Sequence, residues 1–227
     1  MKVKAVVFDV DGVLTEVKSS WGFVHETLGV ADRARQYAEL FERGEITYQD
    51  WLRLDTGLWV EATGGQITRW DLERILSRIP LRPCIRDVSI CIHRMGKRIA
   101  LLSGGIDLLV TRVADVIGAD LWMANQLSFD SRWRLVPGGV AAVGVNKARA
   151  IKLIAGELGV SLGEVMYVGD SQWDADAMRL VGYPVAMGND MSLEGVAKYR
   201  VNRLSEVCDI LKKIEGEGQN GEGLTGP

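Results

Sequence analysis

The sequence predicts an α/β protein, an open and mostly parallel sheet core with a small helical cap inserted after the first strand. Three observations carry this prediction. Short apolar runs alternate with helical periodicity along most of the chain, polar residues follow the predicted strands, and helical spacing fills the interval 17–79. In open α/β sheets, ligands bind beyond the carboxyl ends of the strands.

The first strand is predicted in the apolar run from Val3 to Val10, because continuous apolar residues are typical of a strand buried on both faces. Polar, tryptophan-rich helical segments interrupted by glycines then occupy 17–79. A core-packed helix begins near Pro83, after this interval ends. The next buried strand is predicted from Ile99 to Leu102.

The second half of the chain continues the alternation of strands and helices. In chain order we predict a helix over Ile106 to Ile117, a strand and loose hairpin over Leu121 to Val145, a helix over Ile151 to Leu158, a strand from Val165 to Val168, a helix from about Asp174 and a last strand from Val185 to Met187. We assign 1–16 and 80–215 to the core domain, 17–79 to the cap and the Gly- and Glu-rich stretch 216–227 to a disordered tail.

The composition limits the classes of partner. With 227 residues, 47% of them hydrophobic, and a formal net charge of −3, we expect a globular protein with little electrostatic attraction for nucleic acid or an anionic membrane. No apolar stretch approaches the roughly 18 residues of a membrane span, and the first apolar run is too short for a signal sequence. We therefore expect a cytoplasmic monomer or homodimer.

A pair of carboxylates follows the first strand. Asp9 and Asp11 are separated by one residue, and the two-residue period of an extended chain puts both side chains on one side. Such a pair can hold a hard cation through oxygen ligands, or divide into a nucleophile and a proton carrier. Aspartates also simply end strands and begin turns, so the pair alone leaves these alternatives open.

Three further sites supply groups that a phosphoryl-transfer centre requires. Ser103 and Gly104 offer a hydroxyl and backbone N–H groups for phosphate oxygens at a helix start, although a serine there can be an ordinary N-cap. Asp170 and Asp174 follow another strand and offer carboxylates for a magnesium ion, although Asp174 alone could cap a helix. Lys147 opens the intervening helix and could neutralise phosphate and carboxylate charge, or simply lie on the surface.

With these sites in this order, the chain resembles the haloacid dehalogenase (HAD) superfamily of phosphohydrolases. D-V-D-G-V-L-T resembles the first of its four motifs, L-L-S-G-G the second, Lys147 the third and G-D-S-Q-W-D the fourth. The inserted helical cap, S-G-G and the stretch from Arg43 to Tyr48 are similar to the phosphoserine-phosphatase-like subgroup. The resemblance implies a Rossmann-like HAD core, Mg²⁺ as cofactor and a small phosphorylated metabolite as substrate.

The resemblance also implies a role for each site residue. Asp9 would attack phosphorus to form an aspartyl phosphate, while Asp11 would protonate the leaving oxygen and then activate water. Asp9, Asp170 and the main-chain carbonyl of Asp11 would hold magnesium, and Asp174 would support the metal. The groups that would neutralise and hold the phosphate are Lys147, the hydroxyl of Ser103 and the N–H of Gly104.

The charges of the predicted cap depart from those of the subgroup. In phosphoserine phosphatases an acidic residue receives the substrate's ammonium and an arginine its carboxylate, and the corresponding positions here are Lys18 and Asp55. A shifted helix would bring Glu16 and Arg53 into these roles instead. With Lys18 and Asp55 in place, we predict poor turnover of phosphoserine and a preference for a phosphorylated acid or sugar acid whose hydroxyls meet Asp55.

Two other functions fit parts of the pattern. A phosphomutase or phosphotransferase of the same family would pass the phosphate to an acceptor hydroxyl instead of water. A non-enzymatic phospho-acceptor signalling module also combines aspartates, lysine and magnesium on a parallel sheet. Its acceptor aspartate, however, lies on a middle strand, whereas Asp9 follows the first.

Overall fold

The computed structural model describes residues 2–145 and 147–220, the last four by their backbone alone. Its strands, in chain order, are β1 Ala5–Phe8, β2 Arg98–Ile106, β3 Leu121–Phe129, β4 Leu135–Val140, β5 Val165–Gly169, β6 Tyr183–Met187 and β7 Tyr199–Val201. They form one sheet in the order β4-β3-β2-β1-β5-β6-β7, in which only β3 and β4 pair antiparallel. The predicted open, mostly parallel α/β sheet is confirmed.

The helices of the described chain connect these strands. They are α1 Ser20–Thr27, α2 Ala31–Glu42, α3 Tyr48–Ala62, α4 Arg69–Leu76, α5 Ile85–Arg94, α6 Asp107–Ile117, α7 Lys147–Glu157, α8 Ala175–Met178 and α9 Glu206–Asn220. Helices α1 to α4 fall in the interval 17–79, and we call this interval the insert. None of the described helices is long and apolar enough to cross a membrane.

The sheet is covered on both faces, which explains the continuous apolar runs of its central strands. On one face Phe8 belongs to a buried apolar cluster that also contains Trp59 and Leu72 of the insert. On the other face Val7 packs in a second cluster with Ile151 of α7. The insert therefore shares a hydrophobic core with one face of the sheet.

The β3–β4 hairpin binds the insert through hydrogen bonds between β4 and α3. Gln49 Nε2 of α3 donates to the Gly139 carbonyl at 2.9 Å, and the N–H of Gly138 donates to Thr56 Oγ1 at 2.7 Å. A Cβ on Gly139 would lie 2.1 Å from the Gln126 carbonyl oxygen, so this close approach requires glycine. These contacts hold α3 against β4.

The predicted boundary between β2 and the following helix is wrong. β2 continues to Ile106, so Ser103 and Gly104 precede α6 instead of opening a helix. The N–H of Ile106 donates to Ser20 Oγ at 3.2 Å, and Asn125 Nδ2 donates to the Gly104 carbonyl at 2.8 Å. These bonds come from distant parts of the chain and hold the segment extended, which local glycine content does not predict.

The carboxyl-terminal part also differs from the prediction. The helix expected from Asp174 is a three-residue 3₁₀ turn over 172–174 followed by the short α8, and β7 follows the strand that was predicted to be last. α9 continues to Asn220 because buried Val207 and Leu211 fix one face of it in the core. Residues 216–220 of the predicted tail are therefore helical, and 221–227 lie outside the described residues.

Candidate active site

The two carboxylates that follow β1 lie at the middle of the sheet's carboxyl edge, because β1 is flanked by β2 and β5. The N–H of Asp9 donates to the Val168 carbonyl at 2.9 Å, so pairing with β5 extends to this residue. Asp9 Oδ1 accepts a hydrogen bond from the N–H of Val10 at 2.7 Å, which fixes the side chain. Asp9 and Asp11 are both buried.

Lys147, the first residue of α7, is buried against two carboxylates. Its Nζ donates to Asp9 Oδ2 and to Asp174 Oδ1, each at 2.6 Å. Burial opposes the charge of Lys147, but the carboxylates of Asp174 and Asp9 outweigh it and raise the pKa of the ammonium. Burial also raises the pKa of Asp9, and Lys147 opposes this by favouring the carboxylate. The lysine thus holds Asp9 in place and favours its anionic form.

The oxygens of Asp174 are occupied by donors. Oδ1 accepts from Lys147 and from the Tyr167 hydroxyl at 2.7 Å, while Oδ2 accepts from the N–H groups of Asp170 at 2.9 Å and Ser171 at 3.1 Å. Burial would raise the pKa of Asp174, but Lys147 and the other donors lower it overall. Asp174 is therefore built to position Lys147 and the loop after β5.

Asp170 completes an acidic cluster. One oxygen each of Asp9, Asp170 and Asp174 lies within 4.8 Å of the others. Burial and the neighbouring Asp174 raise the pKa of Asp170 to about 6, as expected for a carboxylate that faces other carboxylates. Each oxygen of Asp9 accepts one hydrogen bond and so keeps a lone pair for a cation. This donor set suits a hard divalent cation.

Two glycines allow the acidic groups to approach one another. Gly12 has a φ of +74°, and a Cβ on it would lie 2.1 Å from Asp170 Oδ2. A Cβ on Gly105 would lie 2.8 Å from both Asp11 Oδ2 and Ser20 Oγ. A side chain at either position would displace a carboxylate of the site.

Asp11 has one oxygen held and one oxygen free. Its Oδ2 accepts hydrogen bonds from the N–H of Ser20 at 2.8 Å and from Ser20 Oγ at 2.7 Å. Its Oδ1 is buried and has no partner among the described residues. Burial raises the pKa of Asp11, and the bonds from Ser20 oppose this rise. The free oxygen can exchange a proton with a bound ligand.

A cavity of about 210 Å³ joins these groups, and we call it the reaction cavity. Ser103 and Gly104 form part of its wall, with Ser103 Oγ accepting from the N–H of Gly105 at 3.0 Å. Trp21 Nε1 donates to the Gly104 carbonyl at 3.1 Å and helps to hold this segment. The lining residues are Asp9, Asp11, Lys18, Ser19, Trp21, Tyr48, Trp51, Ser103, Gly104, Gly105, Gly144, Val145, Lys147, Asp170, Ser171 and Trp173.

The two pairs of candidate substrate-recognition residues lie in different places. Lys18 lines the reaction cavity, and Asp55 lines a smaller pocket beside it. Glu16 is exposed, and Arg53 pairs with Asp50 at 3.9 Å and lines a groove elsewhere on the described surface. The fold therefore brings Lys18 and Asp55 to the site region and leaves Glu16 and Arg53 outside the reaction cavity.

Comparison with known protein families shows to which family the chain belongs. Residues 3–182 match the family described as haloacid dehalogenase-like hydrolase. The chain belongs to this family. The resemblance inferred from the four ordered motifs is thereby confirmed, and the helical insert after β1 is part of the matched range.

Curated relatives of this hydrolase carry a more specific name. A phosphoserine phosphatase of Archaeoglobus fulgidus is 29% identical over 218 residues, which cover 92% of this chain and 60% of that protein. A phosphoserine phosphatase of Idiomarina loihiensis is 27% identical over 217 residues, which cover 92% of this chain and 94% of that protein. Together with the family, these relatives confirm the predicted enzyme class, a phosphoric monoester hydrolase.

Solved structures agree on the fold of the hydrolase. A substrate-bound phosphoserine phosphatase complex superposes with a TM-score of 0.76 at 20% identity, covering 93% of this chain and 99% of that one. A probable phosphoserine phosphatase of Vibrio cholerae superposes with a TM-score of 0.78 at 22% identity, covering 96% of this chain and 67% of that one. At these identities the likeness supports the fold alone.

Sequence reasoning missed several residues that shape the hydrolase site. Ser20 orients Asp11, Tyr167 orients Asp174, and Asn125 binds the Gly104 carbonyl. A signal existed for Ser20, because two adjacent serines begin α1 and only one is needed as a cap. Ser19 is that cap, accepting from the N–H of Gly22 at 3.0 Å, which leaves Ser20 free for the site.

Proposed function

We propose that this hydrolase removes phosphate from a small phosphomonoester through an aspartyl phosphate formed on Asp9. The observation that carries the proposal is the buried pair of Asp9 and Lys147, which faces the same cavity as the free oxygen of Asp11. A carboxylate nucleophile divides ester hydrolysis into two displacements of lower barrier. The pair supplies the anionic nucleophile, and Asp11 supplies the proton carrier.

In the first displacement, a carboxylate oxygen of Asp9 attacks phosphorus while the ester P–O bond breaks. The electron pair leaves with the alkoxide oxygen, which takes a proton from Asp11 Oδ1. Ser20 holds the other oxygen of Asp11, so the proton-carrying oxygen is directed into the cavity. Ser103, the N–H of Gly104 and Lys147 stabilise the charge on the remaining phosphate oxygens.

In the second displacement, Asp11 removes a proton from water and the water oxygen attacks phosphorus. The bond between phosphorus and the Asp9 oxygen breaks, which releases inorganic phosphate and regenerates the carboxylate. Lys147 favours this step because its ammonium stabilises the departing Asp9 carboxylate. Asp174 keeps Lys147 in position through both steps.

We propose magnesium as the cofactor, held by the carboxylates of Asp9 and Asp170 and by the main-chain carbonyl of Asp11. The acidic cluster fits a divalent cation, because Asp170 has a pKa raised to about 6 by burial and by Asp174. When bound, magnesium would neutralise phosphate charge and polarise the P–O bonds. Asp174, whose oxygens are occupied by donors, would support the metal through the loop that carries Asp170.

Removal of divalent cations should abolish activity. Chelation is expected to lower phosphate release by at least about 100-fold, and added Mg²⁺ should restore it, because the phosphate dianion otherwise meets several carboxylates with only Lys147 to offset their charge. Mg²⁺ should also raise the melting temperature of wild type but not of Asp170→Asn, since ligand binding stabilises only a folded site. Full activity in metal-free protein would exclude this cofactor.

Replacement of Ser20 tests the role of Asp11. Ser20→Ala is expected to lower kcat by about 10- to 100-fold for alkyl phosphates, because Asp11 loses the hydroxyl donor and keeps only the bond from the N–H of residue 20. The loss should be smaller for p-nitrophenyl phosphate, whose leaving group needs little protonation. Thr68→Ala is the matched control, since it removes the N-cap of α4, worth about 1 kcal/mol, at a position that does not line the reaction cavity. Equal kcat losses in both variants would contradict the assignment.

For the substrate, we propose that the insert acts as a cap and that Lys18 and Asp55 select the ester. The names of the relatives make phosphoserine the first compound to test, whereas the charges at Lys18 and Asp55 argue for another ester. A screen of phosphate release across amino-acid, amino-alcohol, sugar and nucleotide phosphates separates these possibilities. Release without an added acceptor also separates a phosphatase from a phosphomutase, which would interconvert isomers instead.

A further inference from the structure

A side pocket opens from the reaction cavity between α1 and α3. Its volume is about 100 Å³, whereas a single water requires about 10–15 Å³, so it can admit a group of several atoms. Its lining residues are Ser19, Trp21, Tyr48, Trp51, Leu52 and Asp55, of which the first four also line the reaction cavity. A ligand with its phosphate beside Asp9 can therefore extend into the side pocket.

Asp55 gives the side pocket an acidic wall. The residue is only 4% exposed, and its Oδ1 is buried without a partner among the described residues. Its Oδ2 lies 3.3 Å from His25 Nε2. Such a buried carboxylate oxygen retains full accepting capacity, and burial without a donor is costly. A ligand that donates to Asp55 would remove this cost.

His25 does not cancel the charge of Asp55. Trp59 Nε1 is 2.9 Å from His25 Nδ1, and an indole N–H can only donate. Nδ1 is therefore the acceptor, and the ring proton lies on Nε2, which faces Asp55. The imidazole in this arrangement is neutral and does not cancel a charge on Asp55. Burial raises the pKa of Asp55 and the bond from His25 opposes this rise, so a bound cation would favour the carboxylate form.

The aromatic walls of the side pocket are fixed before a ligand arrives. Trp21 stacks on Trp59 with ring centroids 5.2 Å apart, and Trp51 stacks on Phe41 at 4.9 Å. The hydroxyl of Tyr48 accepts from Asn125 Nδ2 at 2.9 Å. Rings held in this way can attract a cation through their faces without first being ordered.

We infer that the side pocket binds a cationic nitrogen of the substrate, so that the hydrolase acts on phosphate esters of amino alcohols. The inference rests on the phosphatase function proposed above, since it requires the phosphate beside Asp9. A buried carboxylate with one oxygen free among aromatic rings attracts an ammonium group, primary or quaternary, and repels a second carboxylate. This chemistry favours a cation at Asp55 over the sugar hydroxyls considered from sequence.

Paired esters in which carbon replaces the cationic nitrogen provide the test. Choline phosphate is compared with neohexyl phosphate, in which carbon replaces the quaternary nitrogen, and phosphoethanolamine with propyl phosphate. We expect kcat/KM to be at least about 10-fold higher for the cationic member of one or both pairs. The larger ratio identifies the headgroup as quaternary or primary. Equal kcat/KM within both pairs would overturn the inference, whatever the variants do.

The variant Asp55→Asn should erase this preference. It is expected to lower kcat/KM for the preferred cationic ester by about 30-fold and to leave the neutral isostere within about 3-fold. Glu61→Gln is the matched control, because it removes one charge from an exposed position of the same helix. An unchanged preference in Asp55→Asn would remove Asp55 from recognition.

Failure of the underlying phosphatase function has a different signature. p-Nitrophenyl phosphate is included as a reactive ester without a cationic group. If no ester is hydrolysed in the presence of Mg²⁺, including this one, the phosphatase proposal itself fails and the inference fails with it. If the neutral esters are hydrolysed as well as the cationic ones, the phosphatase stands and only the inference fails.

Discussion

The Asp9→Asn variant is expected to lose phosphate release by at least about 10,000-fold, because an amide of nearly the same size cannot act as the nucleophile. The wild-type protein, quenched in acid during turnover, should carry phosphate on Asp9, and the variant should carry none. Intact-protein mass spectrometry after quenching measures this difference. Asp9 packs at the end of a buried strand, so the conservative change should leave the sheet in place.

The control for this variant is Asp176→Asn. Asp176 follows Asp174 by two residues but is exposed and pairs with Arg179 at 2.7 Å, so its change should leave activity unaltered. Circular dichroism and a melting curve establish that both variants are folded. Turnover of folded Asp9→Asn close to that of wild type would exclude Asp9 as the nucleophile.

The Lys147→Met variant is expected to lose both activity and stability. The change removes the ammonium that donates to Asp9 and Asp174 and leaves two buried carboxylates without it. Loss of one partner from a buried ion pair typically costs about 3–5 kcal/mol, so urea denaturation should reveal a fall of this size. The absence of positive charge beside phosphorus should lower kcat by about 1,000-fold.

Lys152→Met separates this effect from the loss of a lysine as such. Lys152 lies on the same helix but is exposed, so its replacement should change the free energy of unfolding by less than about 0.5 kcal/mol. Activity should also be retained. If Lys147→Met were as stable as wild type, the buried carboxylates would have another source of compensation, and the central role of this lysine in the site would be wrong.

The two variants address different parts of one electrostatic arrangement. Asp9 must be anionic to attack phosphorus, although burial among other carboxylates raises its pKa. Lys147 opposes this rise, and Asp174 holds Lys147 in place with the help of Tyr167. The proposed nucleophile is therefore prepared by residues from three parts of the chain, Lys147 of α7, Tyr167 of β5 and Asp174 of the 3₁₀ turn after β5.

The order of strands and polar residues was enough to predict which side chains meet at the carboxyl edge of the sheet. Asp9, Ser103 and Asp170 follow or extend β1, β2 and β5, which are neighbours in the sheet. Parallel strands all end at the same edge, so residues that follow them are brought together whatever the length of the connections. Lys147 was also predictable as the start of a helix. The structure adds that its ammonium pairs with Asp9 at 2.6 Å.

Local conformation near the site was less predictable. Ser103 and Gly104 were expected at a helix start, because serine and glycine favour such positions. They instead extend β2, since Ser20 and Asn125 bind their surroundings from segments far away in sequence. The predicted tail was shortened by α9 for a similar reason, because Val207 and Leu211 are buried by the core.

The sequence by itself determined the α/β class, the family and which carboxylates and lysine meet at the carboxyl edge of the sheet, because strand periodicity and parallel topology place them together. Only the tertiary structure decided that Ser20 orients Asp11, that Glu16 and Arg53 lie outside the reaction cavity, and that Asp55 faces an aromatic pocket. The physical reason is that these contacts join residues that are far apart in the sequence. Trp59 and His25, which set the charge around Asp55, are 34 residues apart, and no local period records such a bond.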